Sequence, residues 1–208
     1  MKKLNRTFYR RSAADVAIDL IGCILVHHVG KKILRARIVE TEAYLGPIDL
    51  ASHASKGRTR RTEVMFGEAG RAYVYFIYGM YDMFNIVVGK KGDAHAVLIR
   101  AAEAMDGWEA DLAGPGKLAR EMKITRAENA ADLTGGDIYL LGEAECRPRI
   151  GKSKRIGVDY ALHWKDELLR FVDLDSECVS KPRSYLRAAA SSDCNHEGVK
   201  GTKKTQGK

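Results

Sequence analysis

The chain of 208 residues has few cysteines and no long hydrophobic run. Its cysteines form neither a C-x-x-C pair nor a regular framework, which favours reduced thiols in a cytosolic protein over disulfides or a zinc site. The longest apolar run, 18–29, is interrupted by Asp19 and two histidines and is far shorter than the ~20 residues that cross a bilayer. We therefore expect no metal site and no membrane span. The four cysteines are Cys23, Cys146, Cys178 and Cys194.

The sequence also lacks a secretory signal and a glycine-rich nucleotide loop. The basic stretch 1–11 is not followed by a purely apolar core or by a small-residue cleavage site. The glycines of 114–118 have the wrong spacing for a phosphate-binding loop. We expect a protein that is not secreted, and that is cytoplasmic and nucleoid-associated in a prokaryote or nuclear in a eukaryote.

Positive charge is present in excess, with a formal net charge of +8 and a pI near 9.3. Part of the excess is concentrated within six residues, at Lys56, Arg58, Arg60 and Arg61. Such a cluster suits a polyanion, although a basic run on its own can equally be a solvated loop. Its position between an acidic strand and an aromatic strand favours the binding interpretation.

The hydrophobic pattern predicts strands interspersed with short helices. A first helix is predicted after Ser12, which can cap it, because Val16, Leu20 and Ile21 recur at helical spacing before Gly22. Strands are predicted at 23–28, 32–42, 72–77, 83–88, 94–102, 138–141 and 156–160. Further helices are predicted at 108–113 and 115–122, and a long surface excursion at 46–68.

This order of elements argues for an α+β fold, a single domain with a mixed or antiparallel β-sheet and surrounding helices, rather than a doubly wound parallel sheet. We assign this domain to residues 1–190. The segment 191–208 is basic and lacks apolar residues to bury, so we predict a flexible basic C-terminal tail there.

One predicted strand carries acidic side chains suited to chemistry on a nucleobase. If the strand is regular, Glu40, Glu42 and Tyr44 share one face, and Thr41 and Ala43 point to the other. A basic loop and an aromatic strand follow. A carboxylate, flat aromatic surfaces and phosphate-binding charge are what an enzyme needs to hold a base outside the helix and to attack its sugar bond with water.

Several motifs over roughly residues 5–175 are specific enough to indicate a family. They are RIVETEAYLGP at 37–47, His53, Met65-Phe66, YVYFIYGMY at 73–81, Asn85, VLIRA at 97–101 and GPGKL at 114–118. In this order they closely resemble the alkyladenine (3-methyladenine) DNA glycosylase family of the mammalian type. The resemblance implies a monofunctional base-excision-repair enzyme that uses no metal and no organic cofactor. It would flip alkylated or deaminated purines, such as 3-methyladenine, 7-methylguanine or hypoxanthine, out of duplex DNA and leave an abasic site.

The resemblance implies a role for each matching residue. Glu42 would be the general base that activates water for attack on C1′, where a carboxylate also stabilises an oxocarbenium-like transition state. Arg100 would lie beside this water, although a strand-end salt bridge is compatible with the same position. The base pocket would be formed by Tyr44, His53, Tyr75 and Asn85. Asn85 would oppose the 2-amino group of unmodified guanine, while an Asn at a strand start can also simply bind backbone.

The remaining matches would contact DNA outside the pocket. Tyr78 would enter the duplex in place of the flipped nucleotide and Met80 would support it, although a plain aromatic turn is the competing interpretation. At 60–64 the chain departs from the family, which commonly has Asn near Thr62. The expected partner is double-stranded DNA with damaged purines, the nucleophile is water, and the protein is expected to be a monomer. Phosphate contacts are expected from Lys56, Arg58, Arg60, Arg61 and Lys117.

Two rival functions remain open on the sequence alone. A bifunctional glycosylase and lyase would use Lys117 as a Schiff-base nucleophile, which requires a depressed pKa that nothing in the sequence implies. A non-catalytic module would bind RNA or DNA through the same basic surface. Replacing Glu42 separates catalysis from binding.

Overall fold

The computed structural model describes residues 1–142, 148–181 and 187–188. The predicted tail at 191–208 lies outside the described residues. The described residues form one antiparallel sheet, which confirms the predicted α+β class. None of the described helices is long and apolar enough to cross a membrane.

The ten described strands are β1 Lys2–Lys3, β2 Ile24–Val29, β3 Lys32–Tyr44, β4 Ala72–Ile77, β5 Tyr81–Val88, β6 His95–Ala104, β7 Ile138–Gly142, β8 Ile150–Ser153, β9 Arg170–Asp173 and β10 Arg187–Ala188. They run in the order β1-β7-β2-β3-β6-β5-β4, and β9, β8 and β10 extend the sheet from β3. Every pairing between them is antiparallel.

Within the described residues, three short α-helices pack against this sheet. They are α1 Arg6–Tyr9, α2 Ala13–Asp19 and α3 Pro115–Glu121. Helix α2 begins as predicted, because the Ser12 hydroxyl accepts a hydrogen bond from the Asp15 amide. Helix α2 lies on β3 and β6, and α3 lies on β5 and β6. The main core between helices and sheet includes Val16, Leu20, Ile38, Phe84, Ile99 and Leu118.

Strand β3 organises the part of the sheet that carries the acidic residues. It pairs with β2 over 32–37 and with β9 over 40–42, and β6 lines its other edge. The register with β6 shifts on both sides of Glu40. Such a bulge bends a strand and changes the direction of its side chains. The predicted common face nevertheless forms, since Glu40 and Glu42 both contact Arg100.

Two predicted elements are absent from the structure. No helix forms at 108–113, because Asp106 and Gly107 turn the chain at φ values of 60° and 77° and Trp108 then donates its indole N–H to the Arg35 carbonyl. No strand forms at 156–160, where the chain bends and turns and Gly157 has φ of 75°. Both segments have apolar residues, but positive φ values fall within 156–160 and directly before 108–113.

The segment 46–68 is the predicted surface excursion, and it has more local structure than its composition indicates. It contains three 3₁₀ turns, and side chains such as Asp49, Ser52 and Thr62 are buried while they bind nearby backbone groups. These local bonds satisfy the backbone of a segment that has no sheet partner. The turns are Gly46–Ile48, His53–Lys56 and Glu63–Phe66.

Candidate active site

The Glu42 carboxylate is fully buried and receives three hydrogen bonds. Its Oε2 accepts from the Tyr44 hydroxyl at 2.8 Å and from Arg100 Nη1 at 3.3 Å, and its Oε1 accepts from the Ile156 amide at 2.8 Å. These donors come from the same strand, from β6 and from the distant loop that precedes the 3₁₀ turn at Leu162–Asp166. A buried charge of this kind requires such compensation. The carboxylate is therefore held in one orientation.

A second buried carboxylate fixes the arginine. Glu40 Oε1 accepts from Arg100 Nε at 3.0 Å, from Arg170 Nε at 2.7 Å and from the Ser180 hydroxyl at 2.8 Å. Its Oε2 accepts from the Ser180 amide at 2.7 Å. Arg100 consequently bridges two carboxylates, and their charges outweigh burial to raise its pKa. The sequence placed Glu40 on the correct face but gave no indication that Arg170 and Ser180 would meet it.

A cavity of about 270 Å³ opens beside Arg100. Its volume lies just below the ~300–1,000 Å³ of ordinary ligand pockets, which suits a compact, flat molecule. All four residues predicted for the base pocket line it, together with Tyr78 of the predicted wedge. The lining also includes Ser52, Met65, Tyr73, Ile77, Met83, Leu98, Arg100, Pro115, Ile156, Gly157, Val158 and Tyr160.

Aromatic rings form one wall of this cavity. His53 and Tyr75 meet edge to face with ring centroids 4.5 Å apart, and His53 Nδ1 lies 2.9 Å from the Tyr73 hydroxyl. Burial, followed by the charges of Arg61 and Lys56, lowers the pKa of His53 to about 4. Burial likewise raises the pKa of Tyr75. The wall is therefore uncharged at neutral pH.

Asn85 lies on strand β5 and is almost fully buried against the cavity. Its side-chain amide donates to the carbonyls of Tyr73, at 3.1 Å, and Met83, at 3.3 Å. Asn85 therefore binds backbone and also lines the pocket, while its opposition to the 2-amino group of guanine stays a prediction. The backbone bonds fix the position of its side chain.

The turn between β4 and β5 projects apolar side chains into solvent at the mouth of the cavity. Tyr78 is 77 % exposed and Met80 is 64 % exposed. Tyr78 has a φ of 55° and Gly79 one of 69°, and such values are uncommon for a bulky residue like tyrosine. Exposed apolar side chains on a strained turn indicate a contact surface rather than a core element.

The five predicted phosphate-binding residues differ in their surroundings. Lys56 and Arg60 are exposed. Arg58 forms an exposed ion pair with Glu63, and Lys117 forms one with Asp111. Arg61 lies differently, with its guanidinium 5.1 Å from the centre of the Tyr75 ring. The five residues are thus of three kinds. Lys56 and Arg60 are open cations, meaning that they form no ion pair among the described residues, Arg58 and Lys117 are paired cations, and Arg61 covers the aromatic wall.

One further group was missed by the sequence interpretation. Arg155 and Asp49 form a fully buried ion pair beside the cavity, with Arg155 Nη1 at 2.5 Å and Nη2 at 2.9 Å from the two carboxylate oxygens. The two residues are 106 positions apart, so no local spacing could have paired them.

Comparison with known proteins agrees with this geometry. Residues 7–177 match the family described as Methylpurine-DNA glycosylase. A relative from Legionella pneumophila (strain Corby) is 48 % identical over 182 residues, which cover 87 % of this chain and 100 % of the relative. A relative from Anaeromyxobacter sp. (strain Fw109-5) is 46 % identical over 187 residues, covering 89 % and 96 %. Both carry the name "Putative 3-methyladenine DNA glycosylase". The chain therefore belongs to the methylpurine-DNA glycosylase family and is a monofunctional DNA glycosylase that acts on damaged DNA.

Proposed function

We propose that this glycosylase flips alkylated or deaminated purines out of duplex DNA and hydrolyses their N-glycosidic bond, with water as nucleophile and Glu42 as general base. The observation that carries the proposal is the buried Glu42 carboxylate, which accepts hydrogen bonds from three residues of the cavity lining, Tyr44, Arg100 and Ile156. A carboxylate in this position both orients a water molecule and stabilises the positive charge that develops on the sugar.

The cavity supports a purine as the bound group. Tyr44, His53 and Tyr75 offer aromatic surface on which any purine can stack. A neutral His53 does not repel a base that carries positive charge, so cationic 3-methyladenine and 7-methylguanine can enter as well as neutral hypoxanthine. Asn85, held by its backbone bonds, would crowd the 2-amino group of an unmodified guanine.

The exposed turn supports the flipping step. Tyr78, with Met80 beside it, would enter the duplex through the minor groove and fill the space that the purine leaves. Lys56 and Arg60 would bind phosphates from open positions, as would Arg58 and Lys117 after exchange of their carboxylate partners. We also propose that the protein acts as a monomer.

Replacing Glu42 by Gln tests the proposal. The amide keeps the size of the side chain but cannot act as base, so single-turnover excision should fall by about 10²-fold or more while the lesion duplex still binds. Glu103→Gln is the matched control, because Glu103 lies on the same sheet and its hydrogen-bond partners, Arg37 and Ser176, do not line the cavity. Each duplex should carry one candidate lesion, and the released base is quantified. Unchanged excision by the Glu42 variant would reject this residue as the base.

The lyase alternative has no comparable support. A Schiff-base lysine has to be uncharged and desolvated, whereas Lys117 lies in an exposed ion pair with Asp111 at 2.6 Å. Borohydride should therefore trap no covalent adduct between the protein and lesion DNA. A trapped adduct that disappears in Lys117→Gln would overturn the monofunctional mechanism.

A further inference from the structure

We infer that the buried Arg155–Asp49 ion pair is a positioning device for the reaction, which holds the loop at 154–164 so that the Ile156 amide stays on the Glu42 carboxylate. The inference rests on the proposed function of Glu42 and extends it to two residues that do not themselves touch the carboxylate. Its basis is the set of bonds by which Arg155 joins three separate segments of the cavity wall.

The first segment is the end of strand β3. Arg155 Nη1 donates to the Ala43 carbonyl at 2.9 Å, between Glu42 and Tyr44. The guanidinium also lies 4.8 Å from the centre of the Tyr44 ring. Arg155 therefore fixes the backbone from which both the carboxylate and one aromatic surface project.

The second segment is the loop that leads to His53. Asp49 accepts both guanidinium bonds from Arg155 and also caps its own loop, since its carboxylate accepts from the amides of Leu45 and Ala51 at 3.0 Å each. A bidentate bond to a planar guanidinium fixes orientation as well as distance. Asp49 thus fixes the loop that leads to His53 in one position relative to the Arg155 guanidinium.

The third segment is the 154–164 loop itself. Arg155 Nη2 donates to the Trp164 carbonyl at 3.2 Å, and the next residue after Arg155 donates its amide to Glu42 at 2.8 Å. A small apolar cluster closes around the same three segments. It consists of Ala51, Val158 and Ala161, with Tyr44 and Trp164 packed against it.

The energetics point to positioning rather than to stability. Both side chains of the pair are 0 % exposed, and a buried ion pair is often no more stabilising than well-packed apolar residues of the same volume. Among the described residues, moreover, buried Arg155 Nε has no hydrogen-bond partner, which is unfavourable. A fold selected for stability alone would not need this arrangement. The geometry that the pair imposes on Ile156 and Glu42 accounts for it.

Two substitutions test this inference. Arg155→Lys keeps the positive charge but cannot form the two parallel hydrogen bonds to Asp49. Asp49→Asn keeps the shape of the side chain but loses its negative charge. We expect each to slow single-turnover excision by about tenfold, with the affinity for a lesion duplex within about twofold of the wild type, because binding surfaces outside the loop remain. The double variant should be no slower than the worse single variant, since the two residues act as one unit.

Arg37→Lys is the matched control, because Arg37 also bridges to a buried carboxylate, that of Asp173, away from the cavity. Thermal unfolding identifies any variant that loses the fold. A generic loss of an arginine that binds a buried carboxylate would slow excision equally in Arg37→Lys and Arg155→Lys, and that result would overturn the inference. So would a loss confined to duplex affinity.

A backbone substitution keeps the inference testable even if those variants unfold. Incorporating the α-hydroxy acid analogue of isoleucine at position 156 turns the amide into an ester. This change removes the N–H that donates a hydrogen bond to Glu42, while Arg155 and Asp49 stay paired. Excision should fall by about tenfold, in line with one lost hydrogen bond to a charged group. An unchanged rate would overturn the inference. If the wild-type protein excised none of the candidate lesions, that result would instead reject the proposed function.

Discussion

At the scale of single residues, the site is defined by how each charge is compensated. Glu42 and Glu40 are fully buried and share Arg100, and Arg170 also pairs with Glu40, so two negative charges meet two positive ones inside the protein. His53 follows the opposite route, because burial and the neighbouring cations keep its ring neutral. A pocket made of balanced charges and neutral rings accepts a flat base at little electrostatic cost.

The low pKa of His53 predicts a pH dependence of stability. Folding lowers this pKa from the ordinary ~6.5 to about 4. Between these values the unfolded chain binds a proton that the folded chain does not, so the free energy of unfolding decreases as the pH falls through this window. We expect His53→Gln to lose less stability than the wild type between about pH 6.5 and pH 4. Urea unfolding at a series of pH values measures both curves, and parallel curves would contradict the prediction.

Arg61 predicts a change in lesion preference. Its guanidinium covers the Tyr75 ring from outside the cavity lining, so it withdraws π-electron density from a ring on which the base would stack. Removing it should favour bases that carry positive charge. We expect Arg61→Gln to raise the ratio of 7-methylguanine to hypoxanthine excision by roughly threefold.

The neighbouring Arg60 supplies the control for that ratio. Arg60→Gln removes the same charge from the same loop, and Arg60 has no ring contact within the part of the chain that the structure describes. Weaker DNA binding lowers both excision rates together and leaves their ratio unchanged. Equal ratios in the two variants would show that Arg61 acts only on the phosphate backbone.

At the scale of elements, the β4–β5 hairpin carries the exposed Tyr78 and is supported from one side. Arg126 lies 4.2 Å from the centre of the Phe76 ring and 3.3 Å from the Asp82 carboxylate, so it contacts both strands. Since a wedge has to resist the stacked bases that it displaces, support at the base of the hairpin matters for binding.

Arg126→Ala should therefore loosen the hairpin. We expect faster amide hydrogen exchange at 76–82 and a lesion-duplex affinity weaker by about two- to fivefold, which is the range of an exposed cation–π contact. Arg120→Ala removes an equal charge from nearby α3, where Arg120 pairs with Glu121. Unchanged exchange in the Arg126 variant, or equal weakening in both variants, would rule out the supporting role.

The same elements show what the sequence could predict. Strand β4 begins and ends as predicted, because alternation and turn residues are local signals. Strands β8 and β9 were missed, since they are short and are fixed by pairing with each other and with distant β3. For the same reason the pocket residues could be predicted from motifs, while Arg155 could not. Its partners come from segments that only the folded chain brings together.

At the scale of the whole molecule, the net charge of +8 predicts a binding energy that depends strongly on salt. Each phosphate contact releases counterions and contributes about −0.9 to the slope of log affinity against log salt concentration on B-DNA. The exposed cations differ, however, in whether a carboxylate already neutralises them. This difference makes the contribution of each cation testable.

Lys56 and Arg60 are open, whereas Arg58 and Lys117 are paired with Glu63 and Asp111. The double variant K56Q/R60Q should therefore reduce the magnitude of the salt slope by about 2, one for each lost phosphate contact. The double variant R58Q/K117Q should reduce it by less than about 1, because each of these cations has to leave a carboxylate before it binds phosphate. Titrations of an undamaged duplex at several salt concentrations measure both slopes. Equal reductions would mean that the ion pairs break freely on DNA, and a larger reduction in R58Q/K117Q would place the phosphate backbone along Arg58 and α3 instead of along the open cations.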